Sequence, residues 1–250
     1  MKVLEGVSRT FAVAETGIYY IDSLQQQSGV ASVGPTGRPG LEPHGRIQFL
    51  SFASGNSTTV ADFGTSLGLG ITVSPDGHAI VYTATSANIA DDKSQSDLWR
   101  VDFDGSHRVR LTNTPKFDES RPQWSPDGKS IAFLSDRGGE EADTQVWLMP
   151  ANGGEARRLT KFGESISDFA WSPDGKRIAF IGRDPERPFG AKKPKQPPPI
   201  VTERYQFREH GTGYLDSRRN HVYLFDIATG KTDLLTPGAH DEQLLTWSPD

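Results

Sequence analysis

The chain has 250 residues, of which 34% are hydrophobic and 24% charged, with a net charge of -5 and no cysteine. This composition excludes disulfides, thiolate metal sites and cysteine nucleophiles, and its acidic balance argues against a nucleic-acid partner. Glycine and proline are frequent, with 26 and 17 residues, which favours short strands and turns over long helices. The sequence shows neither an apolar membrane segment nor the apolar core of a signal peptide, so we expect a cytoplasmic protein, with a periplasmic one as the alternative.

The first predicted elements are four strands within residues 8–62. Their sequences are RTFAVAE, GIYYIDS, RIQFLSF and STTVAD, and they alternate apolar with polar residues or are rich in β-branched and aromatic ones. Between the second and third strands, Ser28–Gly45 is rich in glycine, proline and serine and is predicted to be a loop. These strands make a first four-stranded unit.

Beyond residue 62, a Ser-Pro-Asp-Gly motif recurs and divides the chain. Proline presets φ for a turn, aspartate bonds the local backbone, and glycine accepts a positive φ, so each copy predicts a tight turn between strands. A tryptophan precedes the second, third and last copies, the last being Ser248–Asp250. The three full copies are Ser74, Pro75, Asp76 and Gly77; Ser125, Pro126, Asp127 and Gly128; and Ser172, Pro173, Asp174 and Gly175.

After each full motif come a strand, a second strand with a central aromatic residue, a glycine turn and a short strand ending in Leu-Thr. This is a four-stranded antiparallel meander, and the first two motif spacings, 51 and 47 residues, fit one propeller blade. We therefore predict an all-β protein, a β-propeller of four-stranded antiparallel blades at 8–62, 67–112, 119–160 and 166–236. The first strand of a fifth blade is predicted within 243–250, which makes an incomplete propeller. The alternative is a ring of four blades that the last strand closes.

From residue 96 onward the sequence contains SDLWRVDFDG, ESRPQWSPDGKSIAFLSDRGGE, QVWLMPANGGEARRLT and RYQF…GTGYLD…NHVYLFD. With these phrases residues 96–250 resemble the propeller of the prolyl oligopeptidase family of serine peptidases, in its acylaminoacyl-peptidase and dipeptidyl aminopeptidase branch. Residues 1–90 resemble TolB-like or bacterial sensor-type propellers. The resemblance implies a non-catalytic propeller that gates and positions peptide substrates for an α/β-hydrolase domain not present in this chain. The alternative is a TolB-like or sensor-type module that binds a protein or ligand, and a third is a repeat fragment without independent function.

No catalytic residue, metal site or cofactor is predicted. Ser66 lies in a Gly-x-Ser-x-Gly match at Gly64–Gly68, but a glycine-broken strand follows instead of the helix of a nucleophile elbow. An inter-blade loop is predicted there, a hairpin turn at Asp102 and Asp104, and a solvated turn at Glu140 and Glu141. Three histidines also lack the spacing of metal ligands: His210, His221 and His240.

The insertion Arg183–Asn220 in the fourth blade carries the most distinctive charge. Nine basic and five acidic residues give it a net +4, against -9 for the rest of the chain. In Arg204-Tyr205-Gln206-Phe207-Arg208 the cations would face one side of a strand and the aromatic rings the other. The resemblance implies a place near the cavity between propeller and hydrolase, so Arg204, Tyr205 and Arg208 are predicted to bind a peptide substrate. A structural salt bridge or loop clasp is the alternative.

Overall fold

The computed structural model describes residues 11–24, 44–63, 66–88, 93–138, 143–186, 208–209, 213–214, 216, 218–243 and 245–248. Within these ranges all regular secondary structure is β-strand. The strands form four antiparallel sheets of four strands each and one separate two-stranded hairpin. The predicted all-β architecture of propeller blades is therefore confirmed. In the described part of the chain, no helix has the length and apolar character needed to cross a membrane.

The first two sheets follow chain order, each strand lying beside the next. The first contains β1 (Phe11–Ala14), β2 (Gly17–Leu24), β3 (His44–Ser51) and β4 (Ser57–Phe63). The second contains β5 (Ser66–Val73), β6 (Ala79–Asn88), β7 (Lys93–Asp102) and β8 (Val109–Arg110). His44 and Gly45 pair with the end of β2, so these two residues belong to a strand and not to the predicted loop Ser28–Gly45.

The other two sheets repeat this arrangement. The third contains β9 (Glu119–Trp124), β10 (Ser130–Ser135), β11 (Gln145–Pro150) and β12 (Arg157–Arg158). The fourth contains β13 (Ile166–Trp171), β14 (Arg177–Arg183), β17 (Asn220–Asp226) and β18 (Thr232–Leu234). Between β14 and β17 lies a small hairpin of β15 (Arg208–Glu209) and β16 (Gly213–Tyr214).

Each Ser-Pro-Asp-Gly copy joins the first two strands of its sheet with the same hydrogen bonds. At the second copy, the Gly128 amide donates to the Ser125 carbonyl at 2.9 Å, and Gly128 has a φ of 69°. The Ser125 hydroxyl donates to Asp127 Oδ1 at 2.7 Å and accepts from the Ser130 amide at 3.0 Å. These hydrogen bonds, first that of the serine and then that of the Lys129 amide, lower the pKa of Asp127. The turn thus orders its own backbone before any distant contact is made.

The chain divides into two compact units, each with its own core. One comprises Met1–Arg137 and Leu148–Arg157, and the other Gly138–Trp147 and Arg158–Asp250. In the first unit, Ile47 of the first sheet packs with Ile80, Tyr82 and Val101 of the second, and all four are fully buried. Burial of such side chains supplies most of the stability of stacked blades.

In the second unit, Asp241, Glu242, Leu245 and Trp247 contact the fourth sheet. Leu245 and Trp247 pack on a cluster that includes Ile181, and Trp247 Nε1 donates to the Ala170 carbonyl at 3.1 Å. The predicted fifth-blade strand at Gln243–Ser248 does not form a strand among these described residues. Directly before this segment, the Glu242 amide donates to the Asn220 carbonyl at 2.7 Å. A strand would need a continuous ladder of such backbone bonds.

Candidate functional site

The two ends of the fourth-blade insertion bring charged side chains together. Arg218 Nε lies 2.8 Å from Asp216 Oδ2, and Arg218 Nη1 lies 2.8 Å from Glu164 Oε1. Arg183 Nη2 contacts the other oxygen of Asp216, also at 2.8 Å. Burial favours neutral Asp216, but hydrogen bonds from Arg218 and the charge of Arg183 outweigh it and lower the pKa. This part of the insertion therefore forms structural ion pairs.

A second cluster surrounds Asp184, at the start of the insertion. Asp184 Oδ1 accepts from the Tyr223 hydroxyl at 2.7 Å and lies 2.7 Å from His221 Nδ1. His221 Nε2 lies 3.1 Å from the carbonyl oxygen of Gly238, and the histidine is almost fully buried. Burial and the Asp184 carboxylate raise the pKa of Tyr223, so its phenol keeps its proton.

The geometry of this cluster excludes triad chemistry at His221. A catalytic histidine uses one ring nitrogen to bind its carboxylate and the other to deprotonate a nucleophile. Here the second nitrogen of His221 faces a backbone carbonyl. Asp184 and His221 therefore tie chain segments together and do not activate a nucleophile.

Arg208 is the one predicted substrate residue in the described part of the chain. It is exposed and starts β15, where it pairs with Tyr214. Arg204 and Tyr205 lie outside the described residues, so the structure does not bring the three together. Their role in substrate binding stays a prediction.

The other sequence candidates fall on turns, strands or residues outside the described ranges. Ser66 begins β5, so the inter-blade loop predicted at Gly64–Gly68 is wrong from Ser66 onward; β6 and not a helix follows this strand. At the predicted hairpin turn, the Gly105 amide donates to the Asp102 carbonyl at 2.9 Å. The described residues contain no group of three metal-ligand side chains. The candidates outside the described residues are Gly64, Glu140, Glu141 and His210.

A repeated polar contact, which the sequence reasoning missed, holds the third and fourth strands of three sheets together. We call it the clasp: a buried polar residue of the third strand and a threonine fifteen residues later. Each threonine hydroxyl accepts the backbone N–H that follows the polar residue, at 2.9 to 3.0 Å. The recurring Leu-Thr endings and the constant spacing are the sequence signal. The three pairs are Asp97 with Thr112, Gln145 with Thr160, and His221 with Thr236.

The clasp also fixes the chain where it leaves the sheet. We call the residues after the threonine the exit segment, and the backbone carbonyl two residues after the threonine the exit carbonyl. Gln145 Nε2 donates to the Phe162 carbonyl at 3.2 Å, and His221 Nε2 contacts the Gly238 carbonyl. Asp97 has no proton to donate when ionised, and Gln95 Nε2 instead donates to the Thr114 carbonyl at 3.1 Å. In each of these three sheets, a side chain thus contacts the carbonyl oxygen two residues after the threonine.

A cleft in the second sheet lies beside the first of these clasps. Tyr82 and Trp99 contribute aromatic walls, and the Arg108 guanidinium lies 4.9 Å from the centre of the Trp99 ring. Arg110 Nη2 is 2.6 Å from Asp97 Oδ2, so this cation of the lining is already paired with an acid. The cleft therefore mixes aromatic, aliphatic and charged side chains, and one of its two arginines is paired with an acid.

Parts of this chain are similar to a peptidase propeller family and to peptidases. Residues 93–196 match the family described as the Tricorn protease N-terminal beta propeller domain. The chain is 30% identical over 180 residues to the uncharacterized peptidase YuxL of Bacillus subtilis, covering 70% of this chain and 27% of YuxL. It is 40% identical over 67 residues to dipeptidyl-peptidase 5 of Porphyromonas gingivalis, covering 27% of this chain and 10% of that protein.

Among solved structures, TolB from Acinetobacter baumannii has a similar fold. The TM-score is 0.58, with 22% identity over 91% of this chain and 43% of that chain. The chain is thus a β-propeller with homologues among peptidases, and the resemblance to peptidase propellers is confirmed. It spans about a quarter of the length of YuxL and a tenth of that of dipeptidyl-peptidase 5.

Proposed function

We propose that this chain is a non-catalytic propeller segment of a prolyl-oligopeptidase-like serine peptidase. In this role it admits and positions peptide substrates for a separate α/β-hydrolase domain. The observation that carries the proposal is the alignment with YuxL over 70% of the chain. The bonding of His221 to Asp184 and a backbone carbonyl supports the non-catalytic role, because it leaves no free imidazole nitrogen at that site.

The proposed substrate contacts are Arg204, Tyr205 and Arg208. Arg183 and Arg218 form ion pairs with acids of the fold, and Arg208 is exposed. Guanidinium groups suit this role because they bind carboxylates in a bidentate manner.

The first test is the coding sequence on both sides of the chain. A downstream Gly-x-Ser-x-Gly between a strand and a helix is expected, with aspartate and histidine further along. The isolated 250-residue chain should not hydrolyse chromogenic aminoacyl or acylpeptide substrates. Turnover that Ser66→Ala abolishes would contradict the non-catalytic assignment.

The second test uses the gene product that contains this chain. Arg204→Ala and Arg208→Ala should each lower kcat/KM roughly tenfold for peptides with a free carboxylate, the loss expected from one charge-assisted hydrogen bond. Peptide amides should be unaffected, and Lys193→Ala, which removes another cation of the same insertion, is the matched control. Equal losses in all three variants would point to net charge and not to a defined contact.

The rival proposal is a TolB-like propeller that binds a protein or ligand without chemistry. The fold supports both proposals equally, because propellers host unrelated functions. The rival predicts flanking coding sequence without a hydrolase, and a stable complex with a protein partner. Finding the hydrolase sequence in frame would exclude it.

A further inference from the structure

We propose that Asp184, His221 and Gly238 form a proton-dependent latch at the base of the fourth-blade insertion. With His221 protonated, the latch joins the end of β14, the start of β17 and the segment that leaves the fourth sheet. Loss of one proton releases Gly238 and loosens that segment. This inference does not depend on the proposed peptidase role.

The proton count follows from the partners of the imidazole ring. Nδ1 lies 2.7 Å from Asp184 Oδ1, and Nε2 lies 3.1 Å from the carbonyl oxygen of Gly238. A carbonyl and an ionised carboxylate only accept hydrogen bonds, so both ring nitrogens must carry a proton. A neutral imidazole has a single N–H and keeps only one contact.

The contact that a neutral His221 keeps is the one to Asp184, since a hydrogen bond to a charged acceptor is the stronger. Burial disfavours ionised Asp184, but hydrogen bonds from Tyr223, His221 and the Arg219 amide outweigh it and lower the pKa. The lowered pKa favours the carboxylate form of Asp184. The bond to Gly238 is the one that opens.

Asp184 is the acid that contacts His221, and the nearby arginine side chains pair with other acids. Among the described residues, the surrounding cations each bond an acid other than Asp184: Arg183 and Arg218 contact Asp216, and Arg219 contacts Asp241 at 2.9 Å. Burial and the Asp184 carboxylate raise the pKa of Tyr223, so its phenol retains its proton. The titratable and charged groups around the latch belong to four parts of the chain: Arg183 at the end of β14 with Asp184 directly after it; Arg218 and Arg219 before β17 with Tyr223 in it; Glu164 before β13, bonded to Arg218; and His240, Asp241 and Glu242 in the segment after β18.

The neighbouring sheet shows the same connection without a titrating group. Gln145 occupies the position of His221 in the clasp and donates to the carbonyls of Phe162 and Glu164, at 3.2 and 3.0 Å. An amide keeps its donors at every pH near neutrality. Among the three described exit carbonyls, that of blade four contacts an ionisable side chain, whereas the other two accept from glutamine amides.

The latch also closes the insertion. Asp184 and His221 are 37 residues apart in sequence and directly bonded, so the pair brings the two ends of the insertion together. On the other side, the amides of Leu235 and Glu242 flank Gly238 and donate to the Val222 and Asn220 carbonyls at 2.8 and 2.7 Å. These two amides are reporters of latch opening.

The experiment measures amide hydrogen exchange of the 250-residue chain from pH 5 to 8, corrected for the intrinsic exchange rate. Histidine side chains change charge in this range, so protection of the Leu235 and Glu242 amides should fall at least tenfold as pH rises. His221→Gln installs the amide found at Gln145 and should make protection independent of pH. His240→Gln removes an exposed histidine of the same segment and should leave the wild-type dependence unchanged.

Two results would overturn the latch: a wild-type chain with constant protection over this range, or a His221→Gln variant that keeps the full pH dependence. If that variant does not fold, nitrogen NMR of the wild-type imidazoles decides. Both ring nitrogens of His221 should show the protonated state at pH 5, and their titration should coincide with the loss of protection. A neutral ring at pH 5, or a titration separate from the loss, would refute the proposal.

Discussion

Replacing Gln145 by leucine tests the clasp where it is most completely bonded. The side chain is 1% exposed and makes four hydrogen bonds. Its Oε1 accepts from the Phe162 amide at 2.8 Å and the Thr160 hydroxyl at 3.0 Å, and its Nε2 donates to two backbone carbonyls. Leucine has a similar volume, so the change removes the polar contacts and leaves little cavity.

The expected loss follows from the groups left without partners. A buried donor or acceptor without a partner costs about 1–3 kcal/mol. Phe162 is buried, and its amide and carbonyl both lose the partner that Gln145 supplies, so we expect Gln145→Leu to lower the unfolding free energy by about 3 kcal/mol. With an m-value of about 3 kcal/mol/M, this is a urea midpoint lower by about 1 M.

The assay is urea unfolding at pH 7, followed by tryptophan fluorescence and by circular dichroism. Gln243→Leu is the matched control, because Gln243 is exposed, and its effect should stay within about 0.5 kcal/mol. A loss below about 1 kcal/mol for Gln145→Leu, with an unchanged m-value, would refute the assignment of the clasp as a stabilising contact.

Three further predictions concern backbone positions and turn carboxylates. Gly182→Ala would place a Cβ 2.5 Å from Phe162 Cε1, so it should destabilise by about 1–3 kcal/mol in urea unfolding, and Phe162→Leu should restore part of the loss if this clash is the cause. Gly77 has a φ of 75° in open space, so Gly77→Ala should lower the unfolding free energy by about 1 kcal/mol, and Gly77→Asn by less; equal losses would rule out backbone strain. Serine and amide hydrogen bonds lower the pKa of the Asp76, Asp127 and Asp174 carboxyls, so their stabilisation is complete above the ordinary aspartate pKa near 4 and is lost as pH falls through the lowered values. Replacing all three by asparagine should flatten the acid side of the urea midpoint plotted against pH, and an unchanged slope would show that these turns contribute nothing to acid unfolding.

Local chemistry explains which parts of the fold could be predicted. The turn at Ser125–Gly128 is specified by its own four residues, so the motif alone located it and the strands on either side. The start of β3 depends on its backbone pairing with β2, about twenty residues earlier, and the non-strand conformation of residues 245–248 likewise depends on contacts far along the chain, which no local pattern contains. The hairpin of β15 and β16 has strands of two residues, too short for any periodicity to be read.

The candidate site was harder to predict than the fold, for a related reason. Charge content singled out the insertion, but composition does not say which cations are already paired. Arg218 bonds Glu164, which is 54 residues earlier, and only the folded sheet makes them neighbours. The clasp could not be predicted from a residue motif, because its polar member differs in each blade, although the fifteen-residue spacing to threonine is constant.

That variation has a physical explanation. The invariant requirement is a donor for the exit carbonyl and an acceptor for the amide after the polar residue, and threonine always supplies the second. The first requirement is met by Gln145 directly, by His221 if protonated, and in the second sheet by Gln95, because Asp97 accepts and does not donate. A position constrained by geometry and not by identity can change residue without losing the fold. It is also where one blade of a repeat can acquire a property, such as proton sensitivity, that its neighbours lack.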